Sequence, residues 1–193
     1  MDNLFDAIEL QDLAKGYVVI KENNEVIIEG FNTIVNTGRS FILSKIANSA
    51  FNNPLELPEG EPTELDYSDY KFYKAYLCEN SIEGSTAPVT TNESKRSDYD
   101  EFIKRARESK DSKFALDITT KNVTYDIKNR DLILKFDISG NYSDENSRVI
   151  SSIILTINNG GENGNEVMFS RFTFDPKVIT GNALIQINYH IHF

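Results

Sequence analysis

The chain has no tryptophan, one cysteine and two histidines among its 193 residues. Each scarcity excludes something. With Cys78 alone, no disulfide forms within the chain and no thiolate cluster holds a metal. That thiol reads as a small buried hydrophobe, and the chain fits a reducing cytoplasm. A membrane-crossing helix needs about 20 consecutive apolar residues, and no such run occurs. The first residues, Met1-Asp2-Asn3-Leu4-Phe5-Asp6, are acidic, whereas a secretory leader starts positive and continues apolar, so none is expected. The missing tryptophan also removes the largest aromatic platform for a sugar ring.

Hydrophobic residues make up 39% and charged residues 26%, a globular balance. Phenylalanine (12) and tyrosine (9) supply the aromatic bulk. Thirty acidic against 20 basic residues leave a net charge of -10, which repels phosphate backbones and anionic lipid. No specific nucleic-acid partner and no membrane partner are therefore expected. The length suits one domain over 1–193. It has three parts: a helix, hairpin and helix over 1–50, long loops and a helix over 51–112, and a β-rich part over 113–193.

Residues 3–14 fit a short helix with Leu4, Ala7, Ile8 and Leu13 on one face and Gly16 after its end. Tyr17–Ile20 and Val26–Ile28 flank Lys21–Glu25 as a hairpin. Asn36 or Thr37 caps a helix to about residue 48, striped by Ile42, Ile46 and Ala50 with Leu43 beside them. Residues 52–70 carry three prolines among Glu59, Glu61, Asp66 and other acids, so they read as an exposed acidic loop. Phe72–Cys78 is strand-like, 79–96 is a second long loop, and both loops are candidate partner contacts. Tyr99, Phe102, Ile103 and Ala106 predict a helix over 98–109, opened by Asp98 and Glu101 in capping-box spacing.

From 113 onward the period is two. Strands are expected at 113–119, 122–127, 131–139, 150–157, 167–174 and 183–193, with turns at Asn129-Arg130, Gly140-Asn141, 158–164 and Gly181-Asn182. The last is the clearest. Ala183, Ile185, Ile187, Tyr189, Ile191 and Phe193 fall on one face, and Gln186, Asn188, His190 and His192 on the other. Short strands between turns predict a mainly β fold, an antiparallel β-sandwich of jelly-roll type with two or three short peripheral helices.

Chemistry-bearing patterns are few. His190 and His192 project from one strand face and are the only weak candidates for a metal; they lack a third ligand in sequence, and a plain surface pair is the competing reading. No G-x-S-x-G or S-x-x-K nucleophile pattern occurs. The run Asn159-Gly160-Gly161-Glu162-Asn163-Gly164 lacks the Lys-Ser/Thr of a phosphate loop and the D-x-D spacing of a calcium loop, so it reads as a turn. No catalytic residue and no cofactor are expected. Lys95, Arg96, Lys104, Arg105, Arg107, Lys110 and Lys113 interleave with acids as a mixed-charge helix, and Arg105 and Arg107 are candidates to meet the acidic loop of a neighbouring copy.

Two stretches carry a family resemblance. One is Gly30-Phe31-Asn32-Thr33-Ile34-Val35-Asn36-Thr37-Gly38-Arg39 before a helix. The other is Met168-Phe169-Ser170-Arg171-Phe172-Thr173-Phe174-Asp175-Pro176 before the alternating last strand. Together they resemble a broad group of tailed-bacteriophage virion proteins found among neck, tail, baseplate and fibre-associated components. In that group an N-x-I-V-N-x-G stretch leads into a helix, and a late F-x-R-x-x-F-x-P stretch precedes a last strand ending in an aromatic. Two departures stand out. Cys78-Glu79-Asn80 occupies the place of a G-x-G turn, and Ile153-Ile154-Leu155-Thr156-Ile157 that of an E-x-G-L-F stretch.

The resemblance implies a virion structural subunit of neck, collar or tail, assembled in the host cytoplasm and working without catalysis. Its partners would be other virion proteins and copies of itself. Leu4, Phe5, Ile8, Glu59, Glu61, Asp66, Tyr67, Tyr70, Arg105 and Arg107 are the expected contact residues. The alternative is a capsid decoration or fibre-associated carbohydrate-binding module, with Tyr67, Tyr70 and Tyr73 as an exposed aromatic cluster. On the residues themselves, Gly38 is expected to ease the entry to the helix. Pro176 is expected to stop its strand. Phe169 and Arg171 are expected to share a face, with Arg171 against an aromatic or carboxylate or simply exposed.

Overall fold

The computed structural model describes residues 14–47, 51–52, 64–65, 67–79, 91, 93–95, 115–138, 148–179 and 183–193. The helices expected over 3–14 and 98–109 and the turns at Gly140-Asn141 and Gly181-Asn182 lie outside them. The chain runs β1 (Lys15–Glu22), β2 (Glu25–Ile34), α1 (Asn36–Ala47), β3 (Phe51–Asn52), β4 (Glu64–Leu65), β5 (Lys71–Glu79), β6 (Ala115–Asp117), β7 (Val123–Asp126), β8 (Asp131–Ile138), β9 (Arg148–Asn158), β10 (Glu166–Ile179) and β11 (Ile185–His192). The expected hairpin, the helix from Asn36 and the strand positions from β5 onward are all present, with strand ends moved by a few residues.

Nine strands form one antiparallel sheet in the order β6-β5-β9-β10-β2-β1-β11-β8-β7, and β3 pairs with β4 apart from it. The fold is thus mainly β, as expected, but the sheet is continuous and curled into a half-barrel. One α-helix belongs to the described residues. The bend sits at β2, whose first part pairs with β1 while Thr33 and Ile34 pair with Arg171 and Ser170 of β10. Only two residue pairs join the halves there, so the sheet can turn sharply.

Each half is built by a recognisable local rule. Asn23 (φ 50) and Asn24 (φ 71) form a two-residue hairpin turn, and asparagine is among the few side chains that tolerate positive φ. Registered rows Ile20–Ile187–Phe136 and Val18–Tyr189–Leu134 then line the inner face. From the other half, Ser170 and Phe172, opposite Leu155 and Ile153, point to the same interior. The Ser170 hydroxyl hydrogen-bonds Tyr189 Oη, and Gly30 leaves room for the Phe172 ring. Every one of these core residues is buried. A fully buried Ile or Leu contributes about 1.5–3 kcal/mol.

The two stretches that carry the family resemblance meet at the bend. Val35 N donates to Phe169 O at 3.1 Å, Thr37 Oγ1 donates to Met168 O, and Asn32 Nδ2 donates to Tyr189 Oη. Thr37 therefore spends its hydroxyl on β10 rather than on capping α1. A Cβ on Gly38 would stand 2.2 Å from Phe169 O, so its glycine is required by close approach rather than by its dihedrals. Those motifs are the hinge of the sheet.

Two expectations about β10 are corrected. Pairing jumps between Thr173 and Lys177, and the strand continues to Ile179. Pro176, lacking an N–H, sits in that irregularity without ending the strand. A second irregularity lies between Met168 and Ser170. The extra residue, Phe169, packs edge-on against Phe72 (5.0 Å between ring centroids) and Phe41 (6.0 Å), away from the Arg171 face.

Candidate functional site

Sequence-derived candidates fall in three places. Leu4, Phe5, Ile8, Glu59, Glu61, Asp66, Arg105 and Arg107 lie outside the described residues. Tyr67 and Tyr70 are buried and stack edge-on at 4.9 Å, so neither offers an exposed ring, and Tyr73 is half-buried. Tyr70 Oη instead accepts from Asn165 Nδ2 at 3.1 Å.

His190 and His192 project together from β11, as alternation demands, and Asp131 of β8 lies between them. Its carboxylate is 2.9 Å from His190 Nδ1 and 3.7 Å from His192 Nδ1. Register puts Asp131 opposite His192, a contact that no sequence spacing announces. Among the described residues no group of three or more His, Cys, Asp or Glu is arranged to hold a metal ion. On the same outer face Phe31 is 77% exposed and packs edge-on with Tyr17 at 5.2 Å. Tyr17 lies 6.4 Å from the His190 ring, and a hydrogen bond from its hydroxyl to Glu29 raises its pKa.

Arg171 is not exposed. It is buried beside Ser152 and Cys78, with Nη2 donating to Ser152 Oγ at 3.1 Å. Burial pushes the Cys78 thiol up to about 12, against the opposing pull of Arg171 and a Ser152 hydrogen bond. This thiol is held neutral and covered, in keeping with its reading as a small buried hydrophobe. Asn159–Gly164 is a closed turn. Asn158 Oδ1 accepts from Gly160 N at 2.7 Å, Asn158 Nδ2 donates to Gly161 O at 2.7 Å, and Asn159 Oδ1 accepts from Asn165 N at 2.8 Å.

Sequence reasoning missed an open cleft. It has a volume of about 730 Å³ and apolar walls: Phe41 and Ile42 of α1, Phe72 and Phe169 from one half of the sheet, Val123, Tyr125 and Leu132 from the other, and Phe193. It opens between β6 and β7, the two ends of the described strand order. These edges are joined by only five residues, Ile118–Asn122. Asn122 makes that link firm: its Oδ1 accepts from Thr119 N and Oγ1, and its Nδ2 donates to Lys135 O. Beyond β7, a turn is fixed by Asn129 N and Nδ2 donating to the Asp126 carboxylate, which lowers its pKa, the backbone bond first. Tyr125, which lines the cleft, is 73% exposed, and Ile127 in the turn after β7 is 90% exposed. Composition alone cannot reveal such a cleft, because the same residues would read as core in a closed barrel.

Among the described residues no helix is long and apolar enough to cross a membrane. No family model, no curated protein and no solved structure matches the chain.

Proposed function

We propose that this protein is a structural subunit of a tailed-bacteriophage virion, of the neck, collar or tail, acting by assembly with copies of itself and other virion proteins rather than by catalysis. One observation carries the assembly part: an apolar cleft whose lining includes Tyr125 and Phe193, large apolar side chains left 73% and 47% exposed. Exposed apolar surface grouped around a concavity favours burial against another protein. The virion part is supported by the two resembling stretches, which here form the bend of the sheet. Light scattering over a range of concentrations tests self-assembly. A discrete multimer is expected, and a monomer of 21.9 kDa at every concentration sinks the self-assembling ring subunit.

A second reading, a carbohydrate-binding module, has one observation in its favour: the exposed Phe31 ring beside Tyr17, His190 and Glu29. Aromatic faces flanked by polar groups stack against sugar rings. A glycan array gives signal that Phe31→Ala removes if this reading holds, and silence on the array retires it.

A further inference from the structure

We infer that the gap between β6 and β7 is a docking slot for an extended, acid-rich segment of a second copy of this chain, which pairs with β7 and fills the cleft behind it. The inference rests on the assembly reading above and names its contact surface.

The first support is the hydrogen-bonding direction of β7. Lys135 N donates to Asn122 O at 2.8 Å. Continuing the register of Val123 with Leu134 makes Asn122 and Lys135 a hydrogen-bonded pair. Such pairs alternate along an antiparallel ladder. Thr124 and Asp126 therefore turn their backbone groups to β8, and Tyr125 turns its N–H and C=O to the open side. Tyr125 is 73% exposed, so this edge is reachable from solvent. A reachable edge with outward donors and acceptors is a template for another strand.

The second support is the space behind that edge. A strand added to β7 would direct alternate side chains inward, as Val123 and Tyr125 do, over Leu132, Phe169 and Phe193. A cleft of about 730 Å³ accommodates several such side chains. An isolated patch on a flat surface would supply neither the pairing edge nor the depth.

Charge selects the occupant. Lys45 and Lys71 line the cleft, and Lys121, Lys128 and Arg130 flank β7 at its two ends. Lys45 is anchored to Ser68 O and lies over the Phe41 ring. None of these five cations forms an ion pair among the described residues. The carboxylates nearby are otherwise engaged: Asp117 with Lys74 at 3.6 Å, Asp126 with Asn129, and Asp131 with His190; Asp69 is exposed two residues from Lys71. A basic rim on a chain of net charge -10 is complementary to the rest of its own kind. Insertion of one copy's segment into the next copy's slot is a head-to-tail contact, which closes into a ring when the rotation permits.

Two variants and one control test this on the full chain by light scattering, with melting curves to show that each is folded. Tyr125→Pro removes the outward donor, at an edge position where proline is tolerated. The combined Lys121→Glu and Lys128→Glu reverses charge at exposed positions. Phe31→Ser alters an equally exposed aromatic elsewhere. Both slot variants are expected to raise the concentration at which multimers appear by about tenfold or more, with Phe31→Ser unchanged. If the unaltered protein forms multimers that both slot variants leave intact, the slot is wrong and the assembly reading stands. A monomer at all concentrations overturns both. A loss with Phe31→Ser equal to that with the slot variants also overturns the slot, because another face then carries the contact.

Discussion

β9 and β11 belong to one sheet, yet they meet their surroundings differently. Along β11 burial alternates: Ile185, Ile187, Tyr189 and Ile191 are fully buried while Gln186, Asn188 and His190 are half-exposed. Along β9, residues 150–158 are all buried, and Ser151, Ser152, Thr156 and Asn158 go in with the isoleucines. One face of β9 meets the shared interior through Ile153 and Leu155. Its other face carries Ile154 in register with Tyr76 and Arg171, and Ser152 in register with Cys78. The interior is mostly apolar, with the Ser170 and Tyr189 hydroxyls bonded to each other inside it, whereas this second layer holds an arginine, a thiol and further hydroxyls. A strand covered on both sides is free of the alternation rule, and its polar side chains must find partners inside.

The comparison can be broken at its strongest point first. Ile154→Ala is expected to cost roughly 3–4 kcal/mol in urea unfolding, and Asn188→Ala less than about 0.5 kcal/mol. Similar costs for the two would mean that the second layer of β9 is not packed. The bend between the halves comes next. Gly38→Ala pushes a methyl against Phe169 O and should cost roughly 2–3 kcal/mol; a Tm within one degree or so of the unaltered protein would show that the bend yields freely.

The smallest effect sharpens the chemistry of the second layer. The Cys78 thiol titrates at about 12 when folded against an ordinary 9.0. Above about pH 9 the unfolded chain sheds this proton first, so unfolding becomes easier as pH rises towards 12, by up to about 1.4 kcal/mol per pH unit. Tyr189, also raised by burial, adds to the slope above its ordinary value of 10.0. Cys78→Ala should flatten the curve between about pH 9 and 10, where Tyr189 contributes little. Equal slopes with and without the thiol would place Cys78 in contact with solvent.

Much of this was legible in the residues. Alternation over Ala183–Phe193 gave β11 and its buried face, because one covered face leaves a period of two. The hairpin followed from a polar stretch, Lys21–Glu25, between two apolar runs, and the helix from Asn36 from cap chemistry, although the Thr37 hydroxyl serves β10 instead. The bulge at Phe169 was hidden, since an extra residue has no periodic signature, and so Phe169 and Arg171 were placed on one face. Pro176 misled for the same reason: a proline that ends a strand and one that sits in a bulge look alike in sequence. The β6–β7 opening was invisible because its walls have core composition, and because strand order, not strand identity, creates it. Asp131 reached His190 only through the β8–β11 register.

The pairing of β1 with β11 has a temporal side. Asn23 at the first hairpin turn donates its N–H to Leu184 O and accepts from Leu184 N, across 161 positions of chain. A ribosome releases the first hairpin long before its neighbour strand exists. Val18 and Ile20 therefore cannot reach their final cover until His192 has been made. Contacts of such separation slow folding, so the seam between β1 and β11 closes only after the chain between them has been made.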